Sequence, residues 1–178
     1  MSTKVITGKV RFSYVNVWEP KSVNGSDPKY SVSLIIPKSD TETLKKIKSA
    51  IETAKKEGLA KLGGKIPSHL KTPLRDGDTD RSDDEAYAGS YFVNANSFIK
   101  PGLVDKNVQP ILDQTEFYSG CYGRASIIFY AYNVNGNKGI ACGLQNLQKL
   151  EDGEPLGGKS KPEDDFEPLA DDALDILQ

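Results

Sequence analysis

This chain has little of what disulfide scaffolds, membrane proteins and common hydrolases are built from. Two cysteines, Cys121 and Cys142, are too few for a disulfide framework. The single histidine, His69, has no partner set in sight and lies far in sequence from either thiol. Nothing local would therefore activate a cysteine, and both are expected to be small core residues. No apolar run approaches the length of a membrane span. No signal peptide is expected, because Met1–Lys4 leads straight into a strand pattern. These absences point to an intracellular protein with reduced thiols and no membrane partner.

The 178 residues suggest one domain of ordinary size with an appendage. The overall net charge of −2 hides a division. Residues 1–150 hold 21 basic and 15 acidic residues, a net +6, while residues 151–178 hold 2 and 10, a net −8. The expected organisation is a basic domain over 1–150 and an acidic, flexible tail over 151–178. A basic body favours polyanions, and an acidic tail can fold back onto it or reach a partner.

The most informative stretch is Gly120–Tyr132, GCYGRASIIFYAY. Strand side chains alternate between faces. One face would collect Cys121, Gly123, Ala125, Ile127, Phe129 and Ala131, small and apolar as suits a core. The other would collect Tyr122, Arg124, Ser126, Ile128, Tyr130 and Tyr132. Flat rings beside a fixed cation suit stacked bases and phosphates. They equally suit a second core or a subunit contact, since tyrosine is prominent in both.

Around this strand the periodicity predicts further elements. Val5–Trp18 reads as a long strand with Ile6, Gly8, Val10, Phe12 and Tyr14 on one face and Thr7, Lys9, Arg11 and Ser13 on the other; Val15 and Val17 break the alternation and predict a bulge. Lys9 and Arg11 are then candidate phosphate contacts on an otherwise ordinary solvated face. Trp18 borders a turn-rich loop, placed either to plug a barrel end or to stack on a ligand. Lys29–Ile36 alternates again. Ser39–Lys61 is a helix with a Ser39/Glu42 capping box and a buried stripe of Leu44, Ile47, Ile51 and Ala54. Ser90–Phe98 is a strand whose Phe92, Asn94, Asn96 and Phe98 share one face, an arrangement that suits bases or a buried polar seam. Asn135-Gly136 is a strong hairpin signal and pairs residues whose numbers sum to 271, which sets Cys121 opposite Leu150 and offers no disulfide.

Two motifs fall short of known sites. Gly58–Lys65 has the glycines of a phosphate-binding loop but follows a helix and puts Ile66 where a Ser or Thr is needed. Asp76–Asp80 has the D-x-D-x-D spacing of a calcium loop, with Arg81 where a Gly is needed and Tyr87 where a Glu is needed. The run Asp76–Glu85 is the only material for a metal-dependent nuclease, the least favoured alternative. No metal or other cofactor is expected.

In the tail, Phe166, Leu169, Leu174, Ile176 and Leu177 are spaced among acids. Such a segment can bind a partner groove on contact. Asp164, Asp165, Phe166, Asp171, Asp172 and Asp175 are its candidate partner-binding residues.

The runs Glu116–Ser126, Phe129–Asn133, Gly136–Ile140 and Asp152–Gly158, followed by Asp164-Asp165-Phe166, resemble those of phage and prophage single-stranded-DNA-binding proteins. The resemblance covers nearly the whole chain and is densest over residues 87–166. These proteins are similar in fold to the replication ssDNA-binding proteins of podoviruses. What the resemblance implies is a mainly β protein: an OB-fold, a five-stranded Greek-key barrel with one helix, binding ssDNA across an open strand face. Five long strands, one capped helix and no βαβ rhythm agree with that. The expected function is sequence-tolerant ssDNA binding in phage replication or recombination, without enzymatic activity, in the cytoplasm of the infected or lysogenic host. The expected ssDNA contacts are Tyr122, Arg124, Tyr130 and Tyr132, with Lys9, Arg11, Trp18, Phe92 and Phe98. The tail would compete with DNA for the groove and recruit phage or host replication and recombination proteins. A homodimer is a further expectation. The alternative outside nucleic-acid binding is a structural phage protein whose tyrosine face is a subunit interface.

Overall fold

The computed structural model describes residues 2–22, 25–156 and 166–169. Its strands are β1 (Lys4–Ile6), β2 (Val10–Lys21), β3 (Lys29–Pro37), β4 (Leu74–Asp76), β5 (Ser90–Ser97), β6 (Gly102–Val104), β7 (Tyr122–Val134) and β8 (Asn137–Glu151). A long helix α1 (Thr41–Glu57) follows β3, and a one-turn helix α2 (Gly77–Asp80) follows β4. Five strands close a barrel in the order β7-β2-β3-β5-β8, with β8 returning to β7. All of these pairs are antiparallel except β5 with β8. This is the OB-fold barrel that the resemblance implied. Short strands extend it: β1 lies on β7, β6 on β8, and β4 on β5.

The interior is built by the alternation that the sequence predicts. Gly123, Ala125, Ile127, Phe129 and Ala131 of β7 point inward and are buried. They meet Val10, Phe12, Leu34, Ile36, Val93 and Cys142 from the other staves. Phe12 and Phe117 pack with ring centroids 5.0 Å apart. Each large apolar side chain so enclosed contributes roughly 1.5–3 kcal/mol. Cys121 and Cys142 are free and buried, and desolvation pushes the Cys142 thiol well above its usual range. Both are core residues, as expected.

Helix α1 buries Leu44, Ile47, Ala50, Ile51 and Ala54 on one side, matching its apolar stripe. Its cap is Asp40 rather than Ser39: the Asp40 carboxylate accepts the Thr43 N–H at 3.2 Å. The helix also ends at Glu57, four residues before the expected Lys61. The one long strand expected over Val5–Trp18 is two. Gly8 N–H donates to the Thr43 hydroxyl of α1 at 2.9 Å, which pulls the chain out of register between β1 and β2. Val5 and Thr7 are therefore buried and Ile6 exposed, the reverse of the expected phase. The bulge is present, with a register shift between Ser13 and Asn16 and Tyr14 at φ 48°.

The hairpin follows the predicted register from Val134↔Asn137 to Ile127↔Leu144. Asn135 and Gly136 both take positive φ, 53° and 84°, as a two-residue turn between twisted strands requires. A bulge at Gln145 then moves the pairing to Ser126↔Asn146, and a second shift pairs Tyr122 with Glu151. The stretch Lys65–Gly89, which holds the acids of the calcium-like spacing, carries β4, α2 and a 3-10 turn at Glu85–Tyr87.

Candidate nucleic-acid interface

The outward face of β7 holds Tyr122, Arg124, Ser126, Ile128, Tyr130 and Tyr132, none of them buried. Tyr122 and Tyr130 are eight residues apart, about 26 Å along the strand. The row is thus two groups rather than one site. Tyr132 lies half-buried across the hairpin, where its hydroxyl would sit 2.5 Å from a Cβ at Gly139. Gly143 and Ala141 pair with Ile128 and Tyr130, so the strand beside the rings is nearly bare.

The first group forms a groove of about 590 Å³ between the ends of β3 and β5 and the middle of the β7–β8 hairpin. Lys29, Asn96, Phe98, Ile99, Lys100, Ile128 and Tyr130 line it. Phe98 is 65% exposed and Ile99 79% exposed, large apolar surfaces with no protein cover. Lys29 Nζ lies 4.9 Å from the Phe98 ring centroid, and Lys100 Nζ lies 5.3 Å from that of Trp18. Neither lysine forms an ion pair among the described residues. Burial raises the pKa of the Tyr130 phenol, so the ring stays neutral beside any phosphate. Trp18 is half-buried, packs against the core and donates Nε1–H to the Phe117 carbonyl at 3.0 Å. It plugs the barrel end and offers its ring to Lys100. Lys29, Ile99 and Lys100 escaped the sequence reading. Their one signal was position: Lys29 opens β3, and Ile99 and Lys100 directly follow the Phe92–Phe98 face.

The second group is Tyr122 with Lys9 and Arg11, each cation 5.3 Å from the ring centroid. Here the chain that leaves β8 lies over the site. Glu151 pairs with Lys9. Arg11 donates to the Gly120 carbonyl at 3.1 Å and to the Glu154 carbonyl at 2.7 Å. Asp152 accepts from the Tyr118 hydroxyl at 2.8 Å and pairs with Lys149 at 2.7 Å; Lys149 first and Tyr118 second hold its carboxyl below the usual range. Gly153 sits so close that a Cβ there would come within 2.0 Å of the Gly120 carbonyl and 2.7 Å of the Tyr122 ring. Arg124 remains exposed, with Nε donating to the Thr7 carbonyl at 3.2 Å.

Phe92 is a correction. Its ring faces outward as the alternation predicts, but it is fully buried. Tyr87, from the 3-10 turn, covers it edge-on at 5.0 Å, and the Tyr87 hydroxyl donates to Ser33 at 2.8 Å. Phe92 is therefore not available to a base in this structure. The acids with the calcium-like spacing are engaged in holding the same segment. Lys38 bridges Asp76 at 3.0 Å and Asp78 at 2.8 Å, and Arg75 pairs with Asp80 at 2.9 Å. Asp84 accepts the Ala86 N–H at 3.1 Å. The Lys38 ammonium, then the Gly89 N–H, lowers the Asp78 pKa. Among the tail candidates, Phe166 is 75% exposed, while Asp164, Asp165, Asp171, Asp172 and Asp175 lie outside the described residues.

Residues 3–177 match the family model described as Enterobacter phage Enc34, ssDNA-binding protein. The putative protein p50 of Acyrthosiphon pisum secondary endosymbiont phage 1 is 32% identical over 176 residues, 94% of each chain. Among solved structures, the single-stranded DNA-binding protein from bacteriophage Enc34 in complex with ssDNA superposes with a TM-score of 0.77 at 26% identity, covering 87% of this chain and 90% of that one. The single-stranded DNA binding protein gp2.5 encoded by bacteriophage T7 gives a TM-score of 0.63 at 15% identity, over 94% of this chain and 96% of that one, a likeness of fold alone.

Proposed function

The chain belongs to the family of the Enterobacter phage Enc34 ssDNA-binding protein, and from that premise we propose that it binds single-stranded DNA in phage DNA replication and recombination. The observation that carries the reading is the groove, where exposed Phe98 and Tyr130 stand beside unpaired Lys29 and Lys100 on an OB barrel. Bases stack on the rings and the lysines follow the backbone, a mode that tolerates any sequence because every base has a π-face. The protein acts by binding rather than by catalysis, in the cytoplasm of the infected or lysogenic bacterium where replication intermediates are exposed. Among the described residues no helix is long and apolar enough to cross a membrane.

Tyr122, Lys9 and Arg11 belong to the same reading in a second way. Glu151–Leu156, the root of the tail, lies across them, so DNA reaches this group when the root lifts. The net charge of −8 on residues 151–178, from 2 basic and 10 acidic residues, supports a tail that competes with DNA and is freed for protein partners when DNA binds.

Fluorescence anisotropy of labelled oligo-dT, across a salt series and with a duplex control, tests the function. The expected result is single-strand binding that weakens steeply with salt. Removal of residues 159–178 is expected to tighten binding at low salt; unchanged affinity would remove the competition from the account. No binding by either form would overturn the proposed function.

A further inference from the structure

We propose that Tyr14 and Arg81 form a second subsite for the same strand, in which the Tyr14 ring takes a base and the Arg81 guanidinium takes the neighbouring phosphate. The inference rests on the single-strand reading above, and it concerns residues outside the Phe98 groove.

Three independent observations converge on it. Tyr14 has φ 48°, in the left-handed region, where a bulky side chain is an outlier. The bulge that imposes this conformation turns the ring outward and leaves it 55% exposed. Strain of this kind persists where the surrounding fold enforces it, and it gathers at ligand sites. Second, Arg81 stands 5.4 Å from the Tyr14 ring centroid and 5.7 Å from those of Tyr87 and Phe92. Although it follows a run of acids, its guanidinium forms no ion pair among the described residues. Asp80 is held by Arg75, and Asp84 is turned to the Ala86 N–H. A cation flanked by carboxylates yet left unpaired, and held within 6 Å of three ring centroids, is placed for an external anion. Third, a cavity of about 450 Å³ opens beside Tyr14, walled by Asn16, Lys21, Ser119, Leu156 and Asp84, whose carboxylate accepts the Ala86 N–H.

The two subsites lie on one surface. Asn16 pairs with Ser31, and Ser31 with Asn96, leading across β3 and β5 to Phe98. Two strand spacings and about four residues along the strands separate Tyr14 from Phe98 by roughly 16 Å. That is within the reach of one short single strand on an OB face. Loop α2 and the 3-10 turn, braced by the Lys38–Asp76–Asp78 bridges, then serve to hold Arg81 over the strand's path.

The test uses the full chain and an oligo-dT of about 16 nucleotides, the upper end of an OB site. Arg81→Gln is expected to flatten the slope of log K against log salt by about 0.7, one phosphate contact on a single strand, whereas Arg81→Lys keeps the slope. Tyr14→Asn is expected to bind roughly 5- to 150-fold more weakly, the loss of one stacked base. Because Asn accepts the left-handed conformation, the same variant should melt at an unchanged or higher temperature. A purely structural role predicts the opposite pair, a lower melting temperature and unchanged affinity. The subsite is refuted if Arg81→Gln leaves the slope intact or Tyr14→Asn leaves affinity intact while Phe98→Ala weakens binding. If the wild-type protein itself fails to bind, the single-strand reading falls, and the subsite with it.

Discussion

Phe92 in β5 and Phe98 just past its end are six residues apart, and the structure assigns them opposite duties. Phe98 is 65% exposed; Phe92 is fully buried beneath Tyr87. Truncating Phe98 to alanine removes little native packing, so stability should change by no more than about 0.5 kcal/mol. It does remove a stacking platform worth roughly 1–3 kcal/mol per base, which is about a 5- to 150-fold rise in Kd for ssDNA. No charge is lost, so the salt slope should stay as it is. Truncating Phe92 should cost about 3–5 kcal/mol of stability through the cavity it leaves. In the fraction that remains folded, affinity should be close to wild type. The assays are denaturant unfolding for stability and anisotropy at several salt concentrations for binding. The reasoning fails if Phe98→Ala binds normally, or if Phe92→Ala is as stable as wild type yet loses affinity.

Other consequences follow from the same geometry. Replacing Lys29 or Lys100 with alanine should lower the salt slope by about 0.7 each, with melting unchanged because neither forms an ion pair among the described residues; two unaltered slopes would remove both from the DNA path. The Asp78 pKa is depressed by Lys38 first and the Gly89 N–H second. Its folded value thus lies below the unfolded value of about 3.9, so its stabilising contribution is complete above that pH and is lost as pH falls through the folded value. Loosening of the Gly77–Gly89 segment, read by hydrogen exchange, should therefore set in below about pH 4. The variant Asp78→Asn should lack that acid step, and an identical acid profile in the variant would contradict the assignment.

The parts of this molecule that the sequence disclosed are those governed by short-range rules. The two faces of β7 were legible because Gly123, Ala125 and Ile127 alternate with Arg124, Ser126 and Ile128, and period two leaves one solution. The hairpin was legible from Asn135-Gly136, whose positive φ values fix the turn and hence the pairing as far as the bulge at Gln145. What stayed hidden depends on contacts between distant segments. The phase of Val5–Gly8 is set by Thr43 of the helix. Phe92 is buried by a turn whose tyrosine bonds to Ser33 on another strand. Tyr122 shares its ring with Gly153 and the Arg11–Glu154 contact, more than a hundred residues apart in chain order between Arg11 and Glu154. Lys29, at the start of a strand, and Lys100, in a loop, went unremarked because only the closed barrel brings them to Phe98 and Trp18.

The most direct test of the central claim is photocrosslinking to an oligo-dT that carries 5-iodouracil, followed by mass-spectrometric mapping of the crosslinked residues. Iodouracil couples preferentially to rings in stacking contact. The account predicts crosslinks at Phe98 and Tyr130, with Tyr14 appearing on longer strands and Phe92 never. Crosslinks confined to surfaces away from the β3–β5–β7 groove, or none above background on a bound complex, would contradict it.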